Sequence, residues 1–318
     1  MCPPLAGCLN DDARHVRWKR AMLIKHLAIL GVGLIGGSLA RALRTAGVCA
    51  RITGFGRGTD NLKRAVELGV IDDYTLDAGQ AVSDADVVVL AAPLVACEHL
   101  LSVIKQNLRP GAVVTDVGSV KGSIVAAARN ILSRDQVPSF VPGHPVAGTE
   151  KSGVEASFEG LFADHMVILT PVPETGKDQT DRIRNMWEET GARVVFMDVE
   201  HHDAILAATS HLPHMLAYAL VDCLAGMQER DEIFRYAAGG FTDFTRIASS
   251  SPQMWNDICL ANRNNLLQML NRFDQHLKSI RAAIESDDSE SLLDIFTRAR
   301  NKRNEYIRLK TDNIETDE

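Results

Sequence analysis

A run of closely spaced glycines, Gly31-Val-Gly33-Leu-Ile-Gly36-Gly37, constrains the fold of this chain more than any other feature. It follows a short apolar segment and precedes a helical one, the context of a turn that binds a dinucleotide. Gly31 permits the tight turn, Gly33 lets the backbone approach a pyrophosphate, and Gly36 lets the helix pack on the strand. The start of the helix then offers free N–H groups to the phosphates. The predicted cofactor contacts in this turn are Gly31, Gly33, Leu34, Ile35 and Gly36.

Apolar strands and helices alternate after this turn. The pattern predicts strands at 27–30, 51–55, 87–91 and 112–116, and helices at 34–46, 60–68, 96–107 and 121–132. Further strands are predicted at 139–142, 166–170 and 193–196, with a helix at 178–190 before the last of them. Such alternation predicts an α/β fold, a Rossmann-type domain with a mostly parallel sheet.

The texture changes after residue 198, where long helices are predicted at 200–227, 254–286 and 289–309. We therefore predict an N-terminal extension at 1–25, disordered or upstream of the true start, and a dinucleotide-binding domain at 26–197. An all-α C-terminal domain for substrate binding and dimerisation follows at 198–310, with a tail at 311–318. Long apolar helices at the end of a chain often pack across a two-fold axis, which favours a homodimer through this domain.

Composition excludes several classes of function. The 318 residues carry a formal net charge of −7, which disfavours a nucleic-acid surface. The six cysteines are scattered without the spacing of a zinc site or a disulfide framework, which favours a reducing compartment. Residues 26–40 imitate a signal peptide but carry the glycine motif, and the uncharged run 204–221 contains a polar centre that lipid would not tolerate. The sequence thus predicts a cytoplasmic protein that binds neither nucleic acid nor a membrane.

The end of the second strand indicates which dinucleotide binds. NAD sites usually place an acidic residue there to bind the ribose hydroxyls. Here the strand is followed by Gly56 and Arg57, and a guanidinium suits a 2′-phosphate, with Thr59 adding a hydroxyl. We predict NADP as the preferred cofactor, with NAD still possible because Asp60 is close by. Pro93, after the strand at 87–91, completes the expected cofactor contacts.

Polar motifs elsewhere carry a family resemblance. These are Thr115-Asp-Val-Gly-Ser-Val-Lys121, Gly143-His-Pro-Val-Ala-Gly-Thr-Glu150, Ser210-His-Leu-Pro-His214 and Gly240-Phe-Thr-Asp-Phe-Thr-Arg246. Together with the glycine motif and the helical C-terminal part, the chain resembles the prephenate and arogenate dehydrogenase family of tyrosine biosynthesis over residues 26–310. The resemblance implies oxidation of a ring hydroxyl carbon with loss of CO2 and hydride transfer to a nicotinamide. Such a reaction needs a base and one or two cations that hold carboxylates.

His144 is the candidate base, since it ends a predicted strand and neutral imidazole accepts a proton near neutral pH. Ser119 opens the helix after the 112–116 strand and is expected to cap it. The resemblance implies that Ser119 also hydrogen-bonds the catalytic histidine, and we count it among the cofactor contacts as well. The alternative for His144 alone is a histidine of the core.

The predicted substrate-binding residues come mostly from the helical part. Arg246 suits a substrate carboxylate, and Asp243, one turn earlier, is placed to orient Arg246 or His214. An ion pair of purely structural function between Asp243 and Arg246 is the alternative. The remaining candidates in this set are His211, His214, Glu150 and Thr149. The spacing of the two histidines also suits a metal, but nothing in register completes a shell, so we predict no metal site.

Two other functions compete with this interpretation. A β-hydroxyacid or imine dehydrogenase has a similar architecture, but such enzymes usually show a catalytic lysine on a helix of the second part. A non-catalytic NADP-sensing protein would be expected to have damaged motifs, whereas His144, Ser119 and Arg246 are all present.

Overall fold

The structure is a computed structural model that describes residues 23–315, with side chains up to residue 309. The chain divides into two compact units. The first consists of the chain up to His202 together with Ser249–Ala261, and the second of Asp203–Ala248 and Asn262–Glu318. The predicted single domain boundary at residue 198 did not anticipate that Ser249–Ala261 belongs to the first unit. Most of the predicted extension lies outside the described residues, but its last two residues belong to the first strand.

The first unit is built on a six-stranded sheet in the order β3-β2-β1-β4-β5-β6, with every neighbouring pair parallel. This order is that of a dinucleotide-binding Rossmann fold, in which ligands bind where the strand order reverses, beyond the carboxyl ends of β1 and β4. The predicted fold class is confirmed. The strands are β1 Ile24–Leu30, β2 Cys49–Phe55, β3 Asp73–Thr75, β4 Val87–Leu90, β5 Val113–Asp116 and β6 Phe140–Val141.

Helices cover both faces of the sheet. Alternate residues of one strand point to opposite faces, and Ile29 and Leu30 accordingly belong to separate hydrophobic cores. The first core contains Leu39 and Trp187, and the second contains Leu101. The helices of this sheet are α1 Leu34–Ala46, α2 Thr59–Glu67, α3 Ala78–Val82, α4 Leu94–Ile104, α5 Lys121–Ile131 and α6 Lys177–Glu188.

A second sheet of three strands follows β6. Its strands are β7 Gly143–Pro145, β8 Met166–Leu169 and β9 Arg193–Phe196, with β7 antiparallel and β9 parallel to β8. The expected strand at 139–142 is therefore wrong in its extent, because the chain leaves the main sheet at Pro142 and continues as β7. His144 lies within a strand and does not end one.

The remaining helices are α7 Val199–Leu206, α8 Leu212–Ala225, α9 Arg230–Arg235, α10 Gly239–Thr245, α11 Pro252–Ala261, α12 Arg263–Glu285 and α13 Ser289–Glu315. A wide π-helical turn, Ala207–His211, separates α7 from α8, directly before Pro213. A π-helical turn is typical of a place where the regular hydrogen bonding of an α-helix is interrupted. Pro213 interrupts it here because proline has no backbone N–H. The single predicted helix at 254–286 is wrong, because Asn262 leaves the helical conformation and separates α11 from α12.

Among the described residues, one helical stretch, Val199–Ala225, is long and apolar enough to cross a membrane. His211, near its middle, is fully buried, and its Nδ1 lies 3.1 Å from the side-chain amide of Asn262. This point of the stretch is therefore packed inside the protein, with its buried polar group hydrogen-bonded.

Candidate active site

The glycine-rich turn connects β1 to α1 in the geometry that a dinucleotide requires. Gly31 has φ of +116°, and a Cβ there would lie 2.4 Å from the carbonyl oxygen of Ala91. A Cβ on Gly36 would lie 2.3 Å from the carbonyl oxygen of Gly31. At Gly33, by contrast, nothing lies within 4 Å of an added Cβ. The first and third glycines are thus needed by the fold itself, whereas the second borders open space at the start of α1.

This open side of the turn suits a pyrophosphate. Gly33 precedes α1 without a side-chain cap, so the first N–H groups of the helix, including those of Leu34 and Ile35, are suited to an anion. The side chains of Leu34 and Ile35 pack against the hydrophobic core, so only their backbone would serve the ligand. Pro93 lies three residues after the end of β4 and immediately before α4, on the other side of the point where the strand order reverses.

The segment after β2 presents the residues expected to bind the adenosine end. Arg57 is exposed in the connection to α2, and Thr59 is the first residue of that helix. Asn61, which the sequence did not indicate, joins this region to the glycine turn. Its amide donates to the carbonyl oxygen of Val32 at 2.7 Å, and its side-chain oxygen accepts from the N–H of Val154 at 3.1 Å.

The candidate base makes a close contact with a second histidine. His144 is 7% exposed and pairs with Ile168 of β8, and its Nδ1 lies 2.9 Å from Nε2 of His202. The two rings are 5.1 Å apart and nearly perpendicular. His202 is fully buried, and we did not single it out from the sequence.

A buried ion pair contacts the backbone of Gly143, the residue before the candidate base. The Lys121 ammonium contacts the Asp116 carboxylate, and both side chains are almost entirely buried, at 0% and 1% exposed. Lys121 Nζ also donates to the carbonyl oxygen of Gly143 at 2.7 Å, while the N–H of Gly143 donates to Asp116 Oδ1 at 3.2 Å. Both backbone groups of Gly143 are therefore held by one pair, next to His144. We had given these two residues no role in the sequence analysis.

Ser119 lies in this segment, between β5 and α5. The prediction that it caps α5 is wrong, because the residue before the helix is Val120 and no side chain caps it. A role of Ser119 toward His144 remains a prediction. Thr149 and Glu150 follow β7 and are exposed, and Thr149 Oγ1 accepts from the N–H of Lys151 at 3.2 Å.

The second unit contains the remaining candidates. His214 is half-buried, and its Nδ1 donates to the carbonyl oxygen of Ser210 at 2.8 Å. Burial, and more weakly the charge of Arg246, lowers the pKa of His214 below its ordinary value. His214 is therefore neutral near pH 7, beside a permanent cation. His211, in contrast, lies in the interior against Asn262.

Arg246 follows α10 directly, and α10 packs against α8, the helix that contains His214. The side chains of Arg246 and Asp243 are exposed. An exposed guanidinium beside a neutral imidazole suits a ligand carboxylate. Within residues 23–315, no three His, Cys, Asp or Glu side chains are grouped as metal ligands.

Comparison with known proteins places this geometry in a family context. Residues 39–196 match the model of the prephenate dehydrogenase nucleotide-binding domain, and residues 198–298 match that of the prephenate dehydrogenase dimerization domain. Cyclohexadienyl dehydrogenase from Zymomonas mobilis is 40% identical over 294 residues, which cover 91% of this chain and 98% of that protein.

Solved structures agree with this match. The crystal structure of Aquifex aeolicus prephenate dehydrogenase, in complex with hydroxyphenyl propionate and NAD+, superimposes with a TM-score of 0.83 at 38% identity. That alignment covers 89% of this chain and 98% of the other. Synechocystis arogenate dehydrogenase gives a TM-score of 0.73 at 29% identity, covering 88% of this chain and 99% of the other.

Proposed function

This chain belongs to the prephenate dehydrogenase family, and from that premise we propose how its own residues carry out the reaction. The enzyme oxidises prephenate, or its amino analogue arogenate, at the ring carbon that bears the hydroxyl group. Loss of the ring carboxylate as CO2 makes the ring aromatic and drives the reaction, giving 4-hydroxyphenylpyruvate or tyrosine. The observation that carries the residue assignments is a buried histidine, His144, on the first unit that also contains the dinucleotide turn.

The cofactor is held by the turn between β1 and α1. The backbone of Gly31, Gly33 and Gly36 and the first N–H groups of α1 would hold the pyrophosphate, and the open space at Gly33 fits that group. When bound, a nicotinamide dinucleotide accepts the hydride from the substrate carbon.

We assign the proton transfer to His144. Because its Nδ1 is shared with His202, Nε2 is the nitrogen that would take the proton from the substrate hydroxyl as the hydride leaves. Ser119 would orient the imidazole or the hydroxyl. Burial of the base limits competition from water for this proton.

We assign substrate binding to the second unit. Arg246 would bind a substrate carboxylate by a bidentate hydrogen bond. Neutral His214 uses its Nδ1–H on the carbonyl oxygen of Ser210, so its Nε2 would accept a hydrogen bond from the substrate. Asp243 would orient Arg246. His211, directly before α8, would support the position of that helix and of His214 in it. Thr149 and Glu150 would contact the polar side chain of the substrate.

We propose NADP as the preferred cofactor, with NAD as a weaker substitute. The acidic residue typical of NAD sites is replaced by Gly56, and the exposed Arg57 next to it can neutralise a 2′-phosphate. Replacing Arg57 with Ala should raise KM for NADP while leaving KM for NAD within about twofold. An equal effect on both cofactors would contradict this proposal.

We also propose that the enzyme acts as a cytoplasmic homodimer joined through the helical domain. The match to a dimerization domain supports this, as do exposed apolar side chains on α12 and α13 such as Ile284 (60%), Leu293 (63%) and Phe296 (56%). Sedimentation equilibrium tests it, since Leu293→Glu should shift the mass toward that of a monomer. An unchanged mass for both proteins at the monomer value would refute the dimer.

The first experiment is a four-way assay of reduced-nicotinamide absorbance, with prephenate or L-arogenate and with NADP or NAD. His144→Asn should lower kcat by about 10²- to 10⁴-fold with little change in KM, as expected for loss of a general base. The matched control is His165→Asn, since His165 is exposed and should leave kcat unchanged. Arg246→Ala should mainly raise the substrate KM. A kcat of His144→Asn within threefold of the unmodified enzyme would refute the assignment of the base.

A further inference from the structure

The contact between His144 and His202 goes beyond the family assignment, since the proposed cofactor and carboxylate contacts do not include His202. We propose that His202 is a positioning residue, a neutral hydrogen-bond acceptor that holds the base His144 in one tautomer and one orientation. This inference rests on the proposed role of His144 as the base. It is carried by the 2.9 Å distance between Nδ1 of His144 and Nε2 of His202 and by the burial of both rings.

The role of His144 as the base determines which ring donates in this contact. A hydrogen bond between two neutral imidazoles uses one N–H and one lone pair. For Nε2 of His144 to accept a proton from the substrate, its hydrogen must be on Nδ1. That hydrogen then points at Nε2 of His202, which must accept it, so His202 keeps its own hydrogen on Nδ1. With the bond in this direction, the pair holds His144 in the tautomer that can act as a base.

The contact becomes stronger as the reaction proceeds. After His144 takes the substrate proton, it carries hydrogen on both nitrogens and a positive charge. Its Nδ1 still donates to His202, but the bond is now charge-assisted, and such bonds are about twice as strong as neutral ones. An interaction that strengthens as charge develops lowers the barrier and leaves substrate binding unchanged.

The backbone that carries each ring is held by contacts on its own element. His144 lies in β7, paired with β8, and follows Gly143, whose backbone is held by Asp116 and Lys121. His202 lies in α7, where its N–H donates to the carbonyl oxygen of Asp198 at 2.8 Å. Rotation of either imidazole would have to break the contact between the rings.

A neutral partner also has a consequence for pH dependence. Gly143 links the base to Asp116 and Lys121, and as an ion pair these two side chains contribute no net charge. A carboxylate in place of His202 would favour the protonated form of His144, and a protonated base cannot accept the substrate proton. An imidazole partner orients the base without holding it in its inactive form.

The test uses three replacements at residue 202 in the full-length enzyme. His202→Leu has a similar volume but removes the acceptor, and kcat should fall about 10- to 100-fold, the range found when the hydrogen-bond partner of a metal-bound histidine is lost. His202→Gln supplies an amide oxygen as acceptor and should recover most of the rate. His202→Glu supplies a carboxylate and should move the acid limb of the kcat/KM profile upward by about one pH unit or more. The substrate KM should stay within about threefold in all three.

An NMR measurement of the His144 tautomer and a control variant at His201 complete the test. Long-range ¹H–¹⁵N spectra of the free enzyme should show His144 with its hydrogen on Nδ1, and this does not depend on turnover. His201→Leu is the control, because His201 is the exposed neighbour in the same helix, and it should leave the pH profile unchanged. If His202→Leu does not fold, the comparison of His202→Gln with His202→Glu carries the test.

The possible failures are distinguishable. If His144→Asn is inactive but His202→Leu retains kcat within threefold, the positioning role is refuted and the base assignment stands. A hydrogen on Nε2 of His144, or an acid limb that does not move in His202→Glu, also refutes the positioning role. If His144→Asn keeps its full kcat, the base assignment itself fails.

Discussion

Removing the Lys121 ammonium should destabilise the first unit more than most single substitutions. Lys121→Met keeps a similar length but leaves the Asp116 carboxylate buried without its cation, where both side chains are at most 1% exposed. Removing one partner of a buried ion pair costs about 3–5 kcal/mol. The bond from Lys121 to the carbonyl oxygen of Gly143 is lost as well, worth about 1 kcal/mol. Two N–H donors, from Gly118 and Gly143, stay on Asp116, so we expect a total near 4 kcal/mol.

The double variant separates charge burial from packing. Asp116→Asn together with Lys121→Met removes both charges of this pair, so the double variant should be more stable than Lys121→Met alone by at least about 2 kcal/mol. Unfolding by guanidinium chloride, followed by the fluorescence of buried Trp187 in the same unit, measures both differences. Lys177→Met is the matched control, since Lys177 forms an ion pair with Asp181 but is 87% exposed, and its midpoint should not change.

Two results would refute this reasoning. If Lys121→Met unfolds within about 1 kcal/mol of the unmodified protein, the cavity around Asp116 admits water and the pair is not desolvated. If the double variant is no more stable than the single one, the loss comes from packing and not from an unpaired charge.

Three further predictions follow from local geometry. Gly33→Ala should fold normally but weaken cofactor binding, whereas Gly36→Ala should lower Tm, because its Cβ would lie 2.3 Å from a backbone oxygen. Thermal unfolding and cofactor titration test this, and equal changes in Tm and in cofactor affinity for the two variants would contradict it. Burial and Arg246 lower the pKa of His214 below its ordinary value of about 6.5, so stability should decrease as the pH falls below that value, where the unfolded chain takes up a proton that the folded protein does not. Arg246→Ala should raise this pKa in an NMR titration, and an unchanged value would count against the proximity of the two groups. Burial raises the pKa of the Cys97 thiol to about 12, so at pH 8 its alkylation by iodoacetamide should run at about a thousandth of the rate of a free thiol.

The elements with local signals could be predicted from the sequence. The helix α1 was predicted with its observed bounds, Leu34–Ala46, because a glycine stands at each end. Gly33 precedes the helix, and Gly47 ends it with φ of +70°, a conformation that glycine adopts without strain. The parallel sheet was predictable for the same reason, since its strands are apolar runs between clear helical segments.

Elements defined by tertiary contacts could not be predicted. The strand β7 has only three residues, Gly-His-Pro, with no preference for extended structure. The break at Asn262 falls inside a segment rich in helix formers. It coincides with hydrogen bonds from the Asn262 amide to the carbonyl oxygen of Asp203 at 2.7 Å and to His211. Both partners are distant in the sequence, so the helix propensity of the residues around Asn262 gives no sign of the break.

In the site, too, residues in local motifs could be predicted, whereas residues placed by tertiary contacts could not. The turn glycines and His144 stood in recognisable motifs, but Lys121 at the start of a helix would ordinarily point to solvent. In the sequence, His202 lies three and four residues before Ile205 and Leu206, and His201 lies four residues before Ile205. Both histidines therefore have apolar residues at helical spacing, and the pattern alone does not single out His202 as the buried one.

The position of the base therefore depends on polar contacts more than on its own strand. Pro145 has no N–H to donate, and the hydrogen bonds that border β7 come from Val146 to Met166 and from Thr170 to Pro142. So short a strand does little to define the orientation of the His144 ring, which leaves that task to the Asp116–Lys121 pair and to His202. Substitutions at His202 should consequently lower kcat at temperatures where the enzyme is still folded. Substitutions at Lys121 should instead lower kcat and stability together.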